Sequence, residues 1–169
     1  LPSASWMCTE AFFEEPQAAM EKVLTGFAHV IGGTNLIWGM GQLESQKALS
    51  PVQLVIDNEI ALALRRFWSG FGVSEETLAL DVIREVVEAG GEFLSHEHTL
   101  GHFREELSES KLLERHTRQK WEAGGAGGLA ERAAAAVNER LAATEEDILT
   151  GQQQKELAAI EARVLKRIA

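Results

Sequence analysis

The sequence predicts an α/β fold that is mostly helical by content, and three observations carry that expectation. Two short uncharged runs, residues 1–8 and 34–39, alternate with two helix-like segments at short pitch, the order of parallel strands joined by helical crossovers. After residue 70 the chain shows only helical spacing, caps and breakers. Hydrophobic residues make up 45% of the 169 and charged residues 25%, the balance of a chain that can bury a core.

The elements follow in order. Residues 1–8 (LPSASWMC) read as a buried strand ending in a polar turn. Glu14, Glu15 and Pro16 open the first helix, with acids at its positive end and proline in its first turn. Its expected apolar stripe is Met20, Val23, Leu24, Phe27, Val30 and Ile31, and Gly32-Gly33 stops it. Thr34 to Gly39 is the second strand, and Met40 to Leu49 a loop. Ser50-Pro51-Val52-Gln53 is a capping box that starts a helix to about Ser69, apolar on more than one face.

Val73 and Leu78 bracket an N-cap at Ser74 for a helix ending at Gly90-Gly91. Thr99 is the expected cap of a helix to about Leu107, and Thr117 of another around Trp121. Gly124 to Gly128 reads as a linker, because it has no preceding strand and no Lys-Ser/Thr for a phosphate. An alanine-rich helix spans Leu129 to Ala143. Thr144, with Asp147 three residues on, is the expected start of the last helix, whose stripe is Leu157, Ile160, Val164 and Ile168. The organisation expected is therefore 1–70, 71–123, a linker at 124–128, and 129–169.

The formal net charge is −10, which disfavours phosphate backbones and anionic headgroups and suits a cationic ligand or a basic partner. A single cysteine, Cys8, precludes an internal disulfide and fits a reducing compartment. No run approaches the ~20 apolar residues of a membrane span, and no signal peptide is visible. The expectation is a cytoplasmic protein with no nucleic-acid or membrane partner. The opening Leu1, already strand-like, suggests a piece of a longer chain.

Several stretches carry a family resemblance. They are Gln53-Leu54-Val55-Ile56-Asp57-Asn58-Glu59-Ile60, Glu76-Thr77-Leu78-Ala79-Leu80-Asp81-Val82-Ile83-Arg84, and Glu97-His98-Thr99-Leu100 with His102-Phe103-Arg104. Upstream stand Pro16-Gln17-Ala18, Glu21-Lys22, Asn35-Leu36-Ile37 and Leu43-Glu44-Ser45. In this order, over roughly residues 1–123, the chain resembles the trimethylamine methyltransferase superfamily. The resemblance implies a C-terminal fragment of a TIM (β/α)8 barrel, its last two βα units, followed by a helical extension.

The resemblance also implies methyl transfer from a tertiary or quaternary amine to cobalt of a corrinoid. That cofactor is carried by a partner corrinoid protein, so none is bound by this chain. By position Cys8 falls where members acting on trimethylamine carry pyrrolysine. The chain thus resembles the pyrrolysine-free branch, which includes glycine betaine demethylases. Thr9 to Phe13 departs from that family's pattern in the loop that follows.

Barrel enzymes build sites from loops at the C-terminal strand ends, which here follow Cys8 and Gly39. The substrate-binding candidates are Trp6, Cys8, Trp38 and Glu44, with Gln42 and Asn35 behind them. Trp6 and Cys8 are two apart and share a strand face. An indole face is a natural binder of an ammonium with no proton to donate, although each Trp also suits a core, and Cys8 also suits a small buried residue. Glu44 could meet the cation or staple a loop.

His96, His98 and His102, with Glu97, fall short of a metal motif: position 100 is Leu where the zinc-protease pattern needs His. No metal is expected, and no catalytic residue is identifiable. Asp57 and Glu59 do not face each other and read as surface or loop-anchoring groups. Alone, such a chain should lack turnover and should associate, as a homo-oligomer or with the missing N-terminal portion of the barrel. The competing reading is a non-catalytic helical interaction or oligomerisation module.

Overall fold

The computed structural model describes residues 3–107, 110–143 and 149–167, and the backbone of Ile168. Strand β1 (Ala4–Trp6) is followed by α1 (Pro16–Ile31), β2 (Leu36–Trp38), a small antiparallel hairpin of β3 (Gln42–Leu43) and β4 (Ala48–Leu49), and α2 (Pro51–Ser69). Helices α3 (Glu75–Leu78), α4 (Leu80–Ala89), α5 (Glu97–Glu106), α6 (Arg118–Ala123), α7 (Leu129–Ala142) and α8 (Gly151–Ile168) complete the order. The α/β, mostly helical expectation holds. No described helix is long and apolar enough to cross a membrane.

β1 and β2 pair in parallel across the α1 crossover, Ala4 opposite Leu36, Ser5 opposite Ile37 and Trp6 opposite Trp38. Both strands are shorter than the uncharged runs that predicted them. One face packs on the helices: Met7, Val30 and Leu64 are buried together, with Phe27, Ile37 and Ile60 against them. The other face is open, so the expected burial of these strands is one-sided.

α1 buries only part of the stripe its large apolar residues predict: Val30 is buried and Phe27 packs on the core. Ala18, Lys22, Gly26 and Val30 point inward, while Met20, Leu24 and Ile31 are well exposed. Small residues let the helix lie close: a Cβ on Gly26 would stand 2.5 Å from Leu64 Cδ1 and 3.1 Å from Met7 Sδ. α2 begins as predicted, with Pro51 in the first turn and the Ser50 hydroxyl accepting from Gln53 N. Its two-sided character is met by a second cluster, in which Ile56 packs with Leu112 and Ala133, flanked by Val52, Val55 and Leu129.

Other expectations shift. The helix capped by Ser74 breaks at Ala79, which adopts φ +49 and separates α3 from α4. α5 starts at Glu97 rather than after Thr99, because the His96 ring accepts from His98 N at 3.1 Å and takes the cap. Thr117 caps α6 as expected. The start predicted at Thr144 with Asp147 lies outside the described residues. α8 is opened instead by Thr150 and Gln153, each accepting from the other's backbone N–H, a reciprocal capping box. By compactness the chain forms two units, Leu1–Val137 and Asn138–Ala169.

Candidate functional site

The C-terminal ends of β1 and β2 are where the predicted residues gather. Trp6 and Trp38 close the two strands directly opposite each other, with ring centroids 5.5 Å apart and planes tilted by 59°. Strand alternation puts them on the open face, away from Met7 and Ile37. They remain 39% and 42% exposed, so neither indole is core. A pair at this spacing contributes about 0.5–1.5 kcal/mol beyond its area and leaves part of each ring free. Cys8, a free and half-buried thiol, follows two residues after Trp6.

The loop after β2 is held by a buried charge network. Lys22 and Asp57 form an ion pair with both side chains fully buried. Lys22 Nζ also donates to Gly39 O at 3.1 Å, and Gly41 N donates to Asp57 Oδ2 at 2.7 Å. Gln53 Nε2 donates to Asp57 Oδ1 at 2.6 Å. The pair is thus satisfied by two backbone groups of one turn, and α1 and α2 both grip Gly39 to Gly41. Gly39 cannot easily be another residue: its φ is +95, and a Cβ there would lie 2.7 Å from Met7 O.

The loop after β1 is held from Glu21. Its Oε2 accepts from Thr9 Oγ1 at 2.7 Å and from Glu10 N at 2.8 Å, and its Oε1 accepts from Gln17 Nε2 at 3.0 Å. The Thr9 hydroxyl and then the Glu10 amide stabilise the carboxylate and lower the Glu21 pKa below its ordinary value.

The two loops are also tied to each other. Glu44 N donates to Ala11 O and Ser45 N to Thr9 O, each at 3.0 Å, and the Ser45 hydroxyl donates to the Glu10 carboxylate. Ala11, Ala18 and Leu43 bury together beneath this junction.

Glu44, Ser45 and Gln46 all take positive φ, at 49°, 50° and 74°. Left-handed geometry costs roughly 1–2 kcal/mol for each non-glycine residue, and such strain persists where the surroundings over-determine it. Here the strands' two loops impose it. Glu44 therefore sits in the junction with its backbone committed to Ala11, and its carboxylate makes no hydrogen bond or ion pair among the described residues. Gln42, on β3, presents a buried Oε1 with no partner among the described residues.

Not every candidate joins this end. Asn35 lies at the opposite end of the strands, where its Oδ1 accepts from Ser3 N at 2.9 Å. The histidines serve packing: His98 Nε2 bonds Glu76 O at 2.9 Å, His102 Nε2 stands 3.4 Å from Glu76 Oε1, and the two rings are 4.4 Å apart. Among the described residues no three of His, Cys, Asp or Glu group as metal ligands. Lys22, Gln53, Thr9 and Glu21 were not singled out by site reasoning. The sequence signals for Lys22 are its place in the Glu21-Lys22 stretch of the family resemblance and its i, i+4 spacing from Ala18 and Gly26.

Comparison with known proteins accords with the residue-level resemblance. The family model for trimethylamine methyltransferase (MTTB) matches residues 1–168. The chain is 39% identical over 132 residues to trimethylamine methyltransferase MttB of Desulfitobacterium hafniense (strain DSM 10664 / DCB-2), covering 76% of this chain and 26% of that protein. It is 35% identical over 158 residues to MttB of Methanosarcina barkeri (strain Fusaro / DSM 804), covering 94% and 29%. A glycine betaine methyltransferase of Desulfitobacterium hafniense (strain Y51) is 32% identical over 108 residues, covering 63% and 22%. The chain thus spans less than a third of the length of each.

Proposed function

The chain belongs to the trimethylamine methyltransferase family, and from that premise we propose that it supplies one wall of the substrate pocket of an amine methyltransferase. In this reading β1 and β2 are the last two staves of a (β/α)8 barrel. The observation that carries it is the Trp6–Trp38 pair, half-exposed on an uncovered face at the C-terminal ends of two parallel strands. That is the end where barrel enzymes bind substrate. The exposed Met20, Leu24 and Ile31 on α1 suit a neighbouring barrel helix.

The substrate class is a small tertiary or quaternary methylated amine, trimethylamine-like or betaine-like. Its cationic form is drawn to the indole faces by the ring quadrupole, with the free Glu44 carboxylate and the Gln42 carbonyl oxygen as negative partners nearby in sequence. Cys8 is a small pocket-lining residue. When the C–N bond of the ammonium breaks, the electron pair stays on nitrogen and neutralises it, so no general acid is demanded. The wall's task is orientation: it holds the methyl carbon in line with its acceptor and keeps water away.

In this reading the corrinoid is held by a separate carrier protein, where it supplies the methyl acceptor. The isolated chain binds weakly and does not turn over.

The test is a methyl-transfer assay with reduced corrinoid protein and a panel of methylated amines. It is run on this chain alone and on the chain joined to the remaining barrel segment of a relative. Transfer by the joined protein, lost on Trp6→Leu or Trp38→Leu, supports the reading. Turnover by the chain alone, or a joined protein indifferent to both tryptophans, defeats it.

A further inference from the structure

The apolar stripe of α8 is a second surface, independent of the strand ends. Leu157, Ile160 and Val164 repeat at spacings of three and four, and all three are about half exposed. Leu165 is also exposed but sits one position past Val164, off this line, so the stripe itself is a narrow seam of the kind that pairs two helices.

What covers this seam is read from its charges. With Leu157 and Val164 at a and Ile160 at d, the flanking g positions are Glu156 and Arg163, and the flanking e positions are Gln154 and Glu161. In a parallel pair of α8 helices, g faces e of the other copy, so Glu156 meets Glu161 and the contact is repulsive. In an antiparallel pair, g faces g and e faces e. Setting Leu157 against Ile160 of a second copy then brings Glu156 opposite Arg163, twice by symmetry, and Gln154 opposite Glu161. The same alignment nearly superimposes the two helices end to end. It also places the Lys166 and Arg167 end of one copy beside the N-terminus of the other, a modest like-sign cost at its tips.

We propose that α8 is a self-association surface whose occupant is α8 of a second copy of this chain, packed antiparallel. The stripe is short, so the dimer is weak and depends on concentration. Glu156 and Arg163 choose the orientation more than they add strength.

Sedimentation equilibrium on the full chain, over roughly 5–500 μM so that mass action is visible, tests it with Glu156→Arg, Arg163→Glu and the double exchange. Each single reversal turns two attractive pairs into two repulsive ones and weakens dimerisation roughly tenfold or more. The double variant restores attraction with the signs exchanged, and returns to within about threefold of the parent. Circular dichroism confirms that helicity is unchanged. A chain that is monomeric throughout overturns the proposal. Association indifferent to both single reversals also overturns it, since the contact then lies elsewhere, as on the open strand face. Single losses that the double exchange does not repair overturn the antiparallel pairing.

Discussion

Asp57 on α2 and Lys22 on α1 form a fully buried ion pair whose remaining bonds go to the backbone of Gly39 and Gly41. The pair joins two helices to one turn, and each partner is the other's main compensation for lost water. Removing one side alone therefore leaves a charge stranded in the core, at a cost of about 3–5 kcal/mol. Lys22→Met and Asp57→Leu should each lower the unfolding free energy of the Leu1–Val137 unit by that much, read from its urea midpoint and slope. The double substitution, which strands no charge, should recover most of the loss. Its Gly39–Gly41 turn, no longer gripped, should exchange amide hydrogens faster at Gly41. If the double variant is as unstable as the sum of the singles, the pair is not the coupled unit described.

Glu21 gives the loop after β1 a pH dependence. Its carboxylate accepts from Thr9 and Glu10, so its pKa is lower folded than its ordinary 4.5. A depressed folded value means that the stabilisation is present above the unfolded pKa and is lost as pH falls through the folded one. The carboxyl sits near the surface, so the global effect is small. The local effect is release of Thr9 and Glu10. Amide exchange at Glu10 and Ala11 should speed up as pH drops below about 4.5, relative to Glu21→Gln, whose exchange should follow only the intrinsic pH trend. Parallel profiles for parent and variant would refute it.

The fold was legible where local chemistry is self-contained. Ser50-Pro51 and Thr117 announce caps, and the structure places caps there. The face of α1 is legible only in part, for a physical reason: Phe27 and Val30 reach the core, while other large residues do not. Periodicity locates large apolar side chains but not what covers them, and Met20, Leu24 and Ile31 have no covering element among the described residues. The buried side uses Ala18 and Gly26 for close approach and Lys22 for a charge whose partner is 35 residues away. No local pattern could pair Lys22 with Asp57. The turn at Glu44 to Gln46 was equally hidden, because no glycine or asparagine advertises its left-handed backbone. The place of Trp6 on the strand's open face is readable by alternation, whereas Cys8 falls beyond the end of β1 and Trp38 needs the strand register. The Thr150/Gln153 box is plain in the sequence, a threonine with glutamine three residues on at the head of α8.

Gly39 offers a test of how tightly the strand ends meet. An alanine there would carry φ +95 and bring its Cβ within 2.7 Å of Met7 O and 3.1 Å of Trp6 Cβ. Backbone strain and overpacking each cost about 1–3 kcal/mol. Relief requires β2's end to move away from β1, which separates the two indoles. Gly39→Ala should therefore destabilise the Leu1–Val137 unit by at least ~2 kcal/mol and shift the tryptophan emission toward that of solvated rings. An unchanged spectrum with unchanged stability would mean that Trp6 and Trp38 are not held together by this turn.

Gln42 tests whether stability has been given up for binding. Its buried Oε1 has no partner among the described residues, and an unsatisfied buried acceptor costs about 1–3 kcal/mol. Gln42→Leu keeps the approximate shape and removes the acceptor. The variant should be as stable as the parent or up to ~1–2 kcal/mol more stable in urea, whereas most half-buried polar-to-apolar changes are neutral or harmful. If the oxygen is there to face a methylated ammonium, the same variant in the joined barrel protein should bind the amine more weakly, with its unfolding midpoint preserved. Gln42→Glu, which keeps the acceptor and adds charge, should retain binding. A Gln42→Leu protein that loses stability has lost a hydrogen bond rather than an orphan. One that gains stability and binds the amine unchanged removes Gln42 from the pocket and leaves the indoles and Glu44 to define it.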